Sequence, residues 1–185
     1  MMRFVLWMLG ALLLGGIVHL STVLAMPETA TQDAYARLSR ITPVNAVVQL
    51  DGPTAQKANM PFMDPAFAVA VCRYDLSAGA LKLRTPLSQA YTSVTFYTRN
   101  SVAYYAINDR AAGRRAIELD LMTPEQHAQM PEEEDVTAAD RLIIESPTKH
   151  GLILLRALAP EPGLMAMARR ALAGAQCRSE PTPAQ

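Results

Sequence analysis

The chain has 185 residues, of which 50% are hydrophobic and 18% are charged, and its formal net charge at pH 7 is zero. This length suits one domain with a hydrophobic core, and the composition excludes a disordered or collagen-like chain. Because the charge is balanced and no basic block occurs, we expect no nucleic-acid partner.

The N-terminal stretch is the most apolar part of the sequence. Residues 4–26 carry no charge, and as a helix they would extend about 34 Å, slightly more than the bilayer hydrocarbon core of roughly 30 Å. We predict that residues 1–26 form an uncleaved transmembrane anchor. The alternative is a cleaved signal peptide, because VLA at residues 23–25 satisfies the small-residue cleavage pattern.

Arg3 sets the expected orientation of this anchor. As the charged residue of the leading region, it should stay in the cytoplasm by the positive-inside tendency. We therefore expect a single-pass protein of the inner (cytoplasmic) membrane with its C-terminal domain in the periplasm, and a cleaved signal peptide would export the domain as well. His19 lies within the apolar segment, and we interpret it as a neutral imidazole that reaches the headgroup region.

Residues 27–60 are predicted to form a helix followed by an irregular linker. Over residues 28–40, apolar residues recur at three- and four-residue spacing, which is typical of an amphipathic helix. Pro43 ends this pattern, and a short strand near residues 46–50 precedes a loop rich in turn residues.

From residue 61 the pattern changes to that of β-strands. Residues 67–76 are apolar on both faces, which favours a central strand that is covered on each side. Further strands, joined by turns about every eight to twelve residues, are predicted at residues 81–84, 94–98, 101–107, 117–121, 142–145 and 152–156. We predict a mainly β fold with flanking helices, an antiparallel β-sandwich or jelly-roll-like domain over residues 61–178, in which residues 142–156 form a hairpin.

Two helices accompany the predicted strands. Thr123, Pro124 and Gln126 follow the order of an N-cap, a first helical residue and a capping-box partner. Residues 162–175 carry an alanine-rich apolar stripe and predict an amphipathic C-terminal helix. The polar residues 179–185 are predicted to be a loose tail.

The chain has two cysteines, Cys72 in the apolar strand and Cys177 directly after the C-terminal helix. In an oxidising compartment such a pair is usually a disulfide. We predict a Cys72–Cys177 bond that clamps the helix onto the central strand; the alternative is a buried free Cys72 and an exposed thiol at Cys177. Two cysteines without suitably spaced histidines do not form a tetrahedral set, so we expect no metal site.

The sequence offers few candidates for catalysis. It contains no G-x-S-x-G, H-E-x-x-H, Walker or C-x-x-C motif, so we assign no catalytic residue and expect no cofactor. We interpret His127, His150 and the acidic run at residues 132–135 as solvated loop residues.

Aromatic and basic residues of the strands form one candidate binding surface. Tyr74, Tyr97, Arg99 and Tyr105 have the chemistry to line a face for a sugar or a carboxylate. The alternative is that the tyrosines simply cover the core or their cross-strand neighbours, as aromatic residues in strands usually do.

Residues 61–123 contain PFMDPAFAVAVCRYDLS, LKLRTPL and SVAYYAINDR, and this stretch resembles the family of proteins of unknown function numbered 1254 (DUF1254). In that family a YDLS or LDLS segment followed by a proline opens a β-rich domain, and residues 74–77 and Pro86 match it. The similarity is to the short, membrane-anchored members of proteobacteria and implies no established activity. Longer members attach a second β-rich domain, which implies a separate partner protein that carries a DUF1214-like domain.

Two functional hypotheses follow from these patterns. The first is a membrane-anchored envelope protein that presents a non-catalytic binding domain to the periplasm. The second is an anchored enzyme that acts on envelope polysaccharide or another anionic substrate. A cleft that gathers Tyr97, Arg99 and one of His127 or His150 would favour the enzyme.

Overall fold

A computed structural model of the protein describes residues 1–29, 33–54, 56–112, 116–130 and 142–180. The helices in these ranges are α1 (Met2–Thr29), α2 (Ala34–Leu38), α3 (Asp109–Ala112), α4 (Pro124–Ala128) and α5 (Met165–Ala173). The strands are β1 (Val47–Gln49), β2 (Phe67–Asp75), β3 (Leu81–Pro86), β4 (Thr92–Thr98), β5 (Ala103–Asn108), β6 (Ala116–Met122), β7 (Leu142–Glu145), β8 (His150–Leu158) and β9 (Gln176–Ser179). The acidic run at residues 132–135 and the end of the predicted tail, residues 181–185, lie outside the described residues.

Helix α1 confirms the predicted apolar N-terminal helix. Its part Met2–Met26 is long and apolar enough to cross a membrane, and its side chains are exposed rather than packed in a core. A signal sequence has the same length and composition, so this helix is either an anchor or a signal sequence.

The amphipathic helix predicted at residues 28–40 is wrong in its bounds. Helix α1 continues to Thr29, and α2 is a separate helix of five residues. The Asp33 side chain caps α2, because its Oδ1 accepts a hydrogen bond from the Ala36 N–H at 2.7 Å. A new N-cap at this position marks a new helix, and the three- to four-residue spacing of apolar residues did not reveal it.

The remaining chain forms a sandwich of two sheets, which confirms the predicted mainly β fold. One sheet has the strand order β1-β2-β8-β4-β5 and the other β7-β6-β3-β9. All neighbouring strands are antiparallel except the β6–β7 pair. The buried side chains between the sheets form one core, which includes Phe96 and Ile153 from the first sheet and Leu83 and Leu119 from the second.

The hairpin predicted at residues 142–156 is wrong, because its two strands lie in different sheets. Strand β7 pairs in parallel with β6, whereas β8 lies between β2 and β4. The connection crosses the sandwich at Ser146, which is buried and whose hydroxyl donates to the Thr148 carbonyl at 2.7 Å. β8 is largely buried over five residues from Gly151, which suits the middle of a sheet better than a surface hairpin.

The bounds of the β-rich domain also differ from the prediction of residues 61–178. Strand β1 pairs with β2 through Val47 and Cys72, so the domain begins within the predicted linker. At the other end, the Glu180 N–H donates to the Ala80 carbonyl at 2.8 Å, so Glu180, which was predicted to be part of a loose tail, is bonded to the domain.

Helix α4 confirms the capping box that the sequence predicts. The Thr123 hydroxyl accepts from the Gln126 N–H at 3.3 Å, and the Gln126 Oε1 accepts from the Thr123 N–H at 2.9 Å. The same Gln126 side chain donates through Nε2 to the Leu76 carbonyl at 2.7 Å. The cap therefore also ties α4 to the chain that follows β2.

A disulfide joins Cys72 and Cys177, whose Cα atoms are 6.5 Å apart, as predicted. Cys177, however, lies in β9 rather than at the end of the helix, so the bond links the two sheets and does not clamp the helix. The C-terminal helix α5, which follows a 3-10 turn at Pro162–Leu164, docks without it. Its Ala168 and Leu172 are buried in the core between the sheets.

Candidate functional site

The outer face of the five-stranded sheet, which points away from the core between the sheets, forms the floor of a groove. Val71 of β2 and Leu154 of β8 are direct cross-strand partners, and so are Val69 and Arg156. Directly opposed residues project from the same face of a sheet. Val71 and the adjacent Leu152 are buried on this face although no second sheet covers it.

The walls of the groove come from α2 and from the loop that precedes β2. Leu38 of α2 is buried against the outer face, and Met60 and Met63 pack beside it. The groove has a volume of about 340 Å³ and is lined by Ala34, Leu38, Leu50, Met60, Pro61, Phe62, Met63, Asp64, Phe67, Val69, Val71, Tyr97, Ser101, Leu152, Leu154 and Arg156. This volume lies within the range of about 300–1,000 Å³ that is usual for small-molecule sites.

Phe62 stands at the rim of the groove in an unusual backbone conformation. Its φ is 58°, in the left-handed region that a bulky residue rarely adopts, and its side chain is fully exposed. Such conformations are retained at functional sites more often than elsewhere. A large apolar side chain in water beside an apolar groove is a feature of a binding surface.

Arg99, one of the predicted binding residues, holds α2 in place. Its Nη1 lies 3.1 Å from the Asp33 Oδ2, and its guanidinium stacks 4.1 Å from the centre of the Tyr35 ring. Arg99 follows β4, so these contacts tie the β4–β5 turn to the N-terminus of α2. The wall of the groove is therefore fixed to the sheet by an ion pair and a cation–π contact.

The structure separates the four predicted binding residues. Tyr74 is fully buried between the sheets, and its hydroxyl lies 3.2 Å from the Tyr97 carbonyl, 3.0 Å from the Ser146 hydroxyl and 3.3 Å from the Tyr104 hydroxyl. It therefore supports the core and is not part of a surface. Tyr105 lies on the edge strand β5 with its ring 6.0 Å from that of Phe96.

Of these four residues, Tyr97 lines the groove, whereas Tyr74, Arg99 and Tyr105 do not. The shared binding face that we predicted for them is thus corrected to a groove that contains one of the four. The half-buried phenol of Tyr104, which packs against the core between the sheets, has its pKa raised by desolvation and stays neutral at physiological pH.

The histidines lie outside the groove and pair with single carboxylates. The His127 Nδ1 is 2.7 Å from the Glu145 Oε1, and the His150 Nε2 is 3.4 Å from the Asp75 Oδ1. The cleft that would favour an enzyme, with Tyr97, Arg99 and a histidine together, is not formed by the described residues. Within the same ranges, no group of three or more His, Cys, Asp or Glu side chains could hold a metal ion.

Asp75 gives the domain a pH-dependent contribution to stability. Hydrogen bonds from Ser77, one of them from its N–H at 2.8 Å, and then the charge of His150 hold the pKa of this carboxyl below its usual value of 3.8. Because the folded pKa is lower than the unfolded pKa, this contribution is present above the unfolded pKa and is lost as the pH falls through the folded pKa.

We therefore expect the free energy of unfolding of the wild type to fall more steeply below about pH 4 than that of Asp75→Asn. Urea denaturation at a series of pH values between neutral and strongly acidic measures the difference. Parallel profiles of unfolding free energy against pH for the two proteins would contradict a contribution of the Asp75 carboxylate to stability.

A family model matches residues 44–179, which covers the whole sandwich from the chain before β1 to the end of β9, and its description is "Protein of unknown function (DUF1254)". The chain belongs to the DUF1254 family. The resemblance in residues 61–123 is thereby confirmed over a longer stretch. None of the curated proteins matches this DUF1254 chain.

Two solved structures resemble this DUF1254 protein. The VPA0106 protein from Vibrio parahaemolyticus is 12% identical with a TM-score of 0.59, and the match covers 82% of this chain and 36% of that one. An uncharacterised protein from Burkholderia cenocepacia is 13% identical with a TM-score of 0.48, over 74% and 34% of the two chains. The chain thus spans about a third of the length of these proteins, and the similarity to the first shows a shared fold.

Sequence reasoning missed the groove, although two signals for it were present. Residues 67–76 are apolar on both faces, which correctly indicated cover on each side of β2. The outer cover consists of a five-residue helix and a loop, which leave part of the face open. A second signal was Arg156, a charged residue within the apolar run of β8.

Proposed function

We propose that this DUF1254 protein is an inner-membrane protein whose helix α1 is retained as a single-pass anchor and whose sandwich is a non-catalytic binding domain in the periplasm. The observation that carries the binding role is the apolar groove beside α2. Apolar concave sites with a few polar groups are the usual form of ligand-binding sites.

The disulfide supports the periplasmic side of the membrane. A Cys72–Cys177 bond persists in oxidising compartments, whereas cytosolic thiols are kept reduced. Arg3 lies at the N-terminal end of α1, and the positive-inside tendency places this end in the cytoplasm, which supports the same orientation.

The position of the groove along the chain supports a link with the membrane. Asp33, the cap of α2, is four residues after Thr29 at the end of α1, so an extended chain places it within about 14 Å of that end. Ala34 and Leu38, which follow, line the groove. The proposal therefore puts the groove close to the membrane surface, where apolar ligands are available.

The orientation is tested by fusing alkaline phosphatase after Gln185. We expect the phosphatase to be active and to remain in washed membranes, and we expect the intact mass to include residues 1–26. An inactive fusion would overturn the periplasmic placement, and a mass that begins at Met26 would show a cleaved signal peptide instead of an anchor.

Binding at the groove is tested with the photo-crosslinking residue benzoylphenylalanine in place of Phe62, in intact membranes. We expect ultraviolet light to produce a defined adduct, and we expect Leu154→Trp, which fills the groove, to suppress it. The control places the same residue at Glu118, which is exposed on the other sheet. Equal labelling from both positions, or no adduct from Phe62, would contradict a binding site in the groove.

The partner with a DUF1214-like domain stays a prediction, and such a partner would give a protein-sized adduct.

A further inference from the structure

We propose that the groove binds a long-chain fatty acid, with its carboxylate held by Arg156 and Ser93 and its alkyl chain on the outer face of the sheet. This inference rests on the proposed function, because it takes the groove to be a binding site and names the chemical class of its ligand. Its basis is the cation Arg156 in the lining of the groove, with Ser93 opposite it in the sheet, and the apolar side chains that follow Arg156 along β8.

At one end of the groove, two cross-strand side chains each carry a buried polar atom that has no hydrogen-bond partner; Arg156 lines the groove, and Ser93 lies beside it outside the lining. Arg156 of β8 and Ser93 of β4 are direct cross-strand partners, so they project from the same face. The Arg156 Nε and the Ser93 Oγ are both buried and have no hydrogen-bond partner among the described residues, and Ser93 is only 4% exposed. Because buried polar atoms are nearly always paired, two adjacent unpaired atoms point to a ligand that accepts hydrogen bonds from both.

The charge of Arg156 favours an anionic ligand. The guanidinium of Arg156 lies 5.6 Å from the centre of the Phe67 ring and forms no ion pair with any described residue. Asp64 is the acidic residue of the lining, but it is exposed and its Oδ1 already accepts from the Ala66 N–H at 2.9 Å. A carboxylate has two acceptor oxygens, so it is able to accept from a guanidinium and a hydroxyl together.

The apolar end extends along β8 away from Arg156. Leu154 and Leu152 follow on the same face, and Val71 and Leu38 lie beside them. Four residues of strand separate Arg156 from Leu152, which corresponds to about 13 Å. Arg73, opposite Leu152 on this face, does not line the groove. Arg156 at one end of the apolar strip suits an amphiphile with a small anionic head, of whose alkyl chain the strip would cover the part next to the head.

The test uses the full-length protein in its own membranes and a palmitate analogue that carries a photoreactive diazirine. After irradiation, peptide mass spectrometry locates the label. We expect label on residues 60–64 and on β8, and we expect Arg156→Gln combined with Ser93→Ala to reduce it about tenfold, because a charge-assisted hydrogen bond is lost. Arg170→Gln, which removes the same charge from the exposed face of α5, should leave the label unchanged.

Two further measurements keep the outcome decisive. The corresponding photoreactive alcohol should label the groove no more than palmitate labels the double variant, because it lacks the charge. Arg156→Lys, which keeps the charge, should retain most of the label. In each variant, the persistence of the disulfide shows that the variant protein has folded. Label confined to α1, or equal labelling by acid and alcohol, would overturn the proposal.

These outcomes separate the two proposals. A defined adduct from position 62 that is a protein, together with palmitate label confined to α1, would leave the groove as a binding site and reject the fatty acid. If position 62 forms no adduct and palmitate labels only α1, both are rejected.

Discussion

The substitution Cys177→Ser should lower the free energy of unfolding by about 4–5 kcal/mol. The disulfide joins residues 105 apart in sequence. Removing a link that closes a loop of roughly one hundred residues increases the conformational entropy of the unfolded chain and stabilises the unfolded state by about 4.7 kcal/mol at 25 °C. For a domain whose total stability is of the order of 5–15 kcal/mol, this is a large fraction. Urea denaturation of the oxidised wild type and of the variant measures the difference.

Reduction provides the internal control for this experiment. Dithiothreitol should destabilise the wild type as much as the substitution does, and it should have no further effect on Cys177→Ser. Cys72→Ser should cost slightly more, because it also places a hydroxyl at a fully buried position. The oxidised native protein should show no free thiol, and alkylation of both cysteines without unfolding would contradict the bond.

The substitution Gly151→Ala should lower the free energy of unfolding by about 3 kcal/mol or more. Gly151 of β8 lies directly opposite Tyr74 of β2, and the ring of Tyr74 lies over it. A Cβ at Gly151 would overlap the Tyr74 hydroxyl, the adjoining ring carbon and the Tyr97 carbonyl oxygen. Overpacking of this kind costs about 1–3 kcal/mol, and displacing the Tyr74 hydroxyl from its buried partners costs roughly 1–3 kcal/mol more.

Gly163 is the matched control for this prediction. It lies in the exposed 3-10 turn before α5, and a Cβ there would meet no other atom within 4 Å. Gly163→Ala should therefore leave the thermal unfolding midpoint almost unchanged, whereas Gly151→Ala should lower it by about 10 °C or more. Equal midpoints for the two variants would show that Tyr74 does not pack over β8.

The parts of the fold that the sequence predicts correctly are those with a local signal. The capping box at Thr123 and the apolar run of β2 are encoded by neighbouring residues. The disulfide was predictable because two cysteines in a chain that is expected to be exported have few alternatives. The elements that the disulfide joins were not predictable. Cys177 lies in β9, which pairs with β3, and this pairing depends on the sheet rather than on the helix that precedes β9.

The errors in strand pairing and in the groove share one physical cause, which is that strand order is set by contacts between distant residues. A turn between β7 and β8 is compatible with a hairpin or with a crossing between sheets, and the sequence near Ser146 does not decide between them. The groove was missed for the same reason. Its walls, α2 and residues 60–64, become neighbours of β8 only in the folded domain.

The central place of β8 determines when the domain is able to fold. β2 and β4 both depend on β8 for pairing, yet they precede it by many residues in the chain. A chain exported from its N-terminus therefore delivers two strands with open edges well before their shared partner arrives. Pairing of this non-local kind is slow, and the exposed edges favour aggregation in the meantime. In the proposed location, we therefore expect the edges of β2 and β4 that pair with β8 to need protection from aggregation until β8 has crossed the membrane.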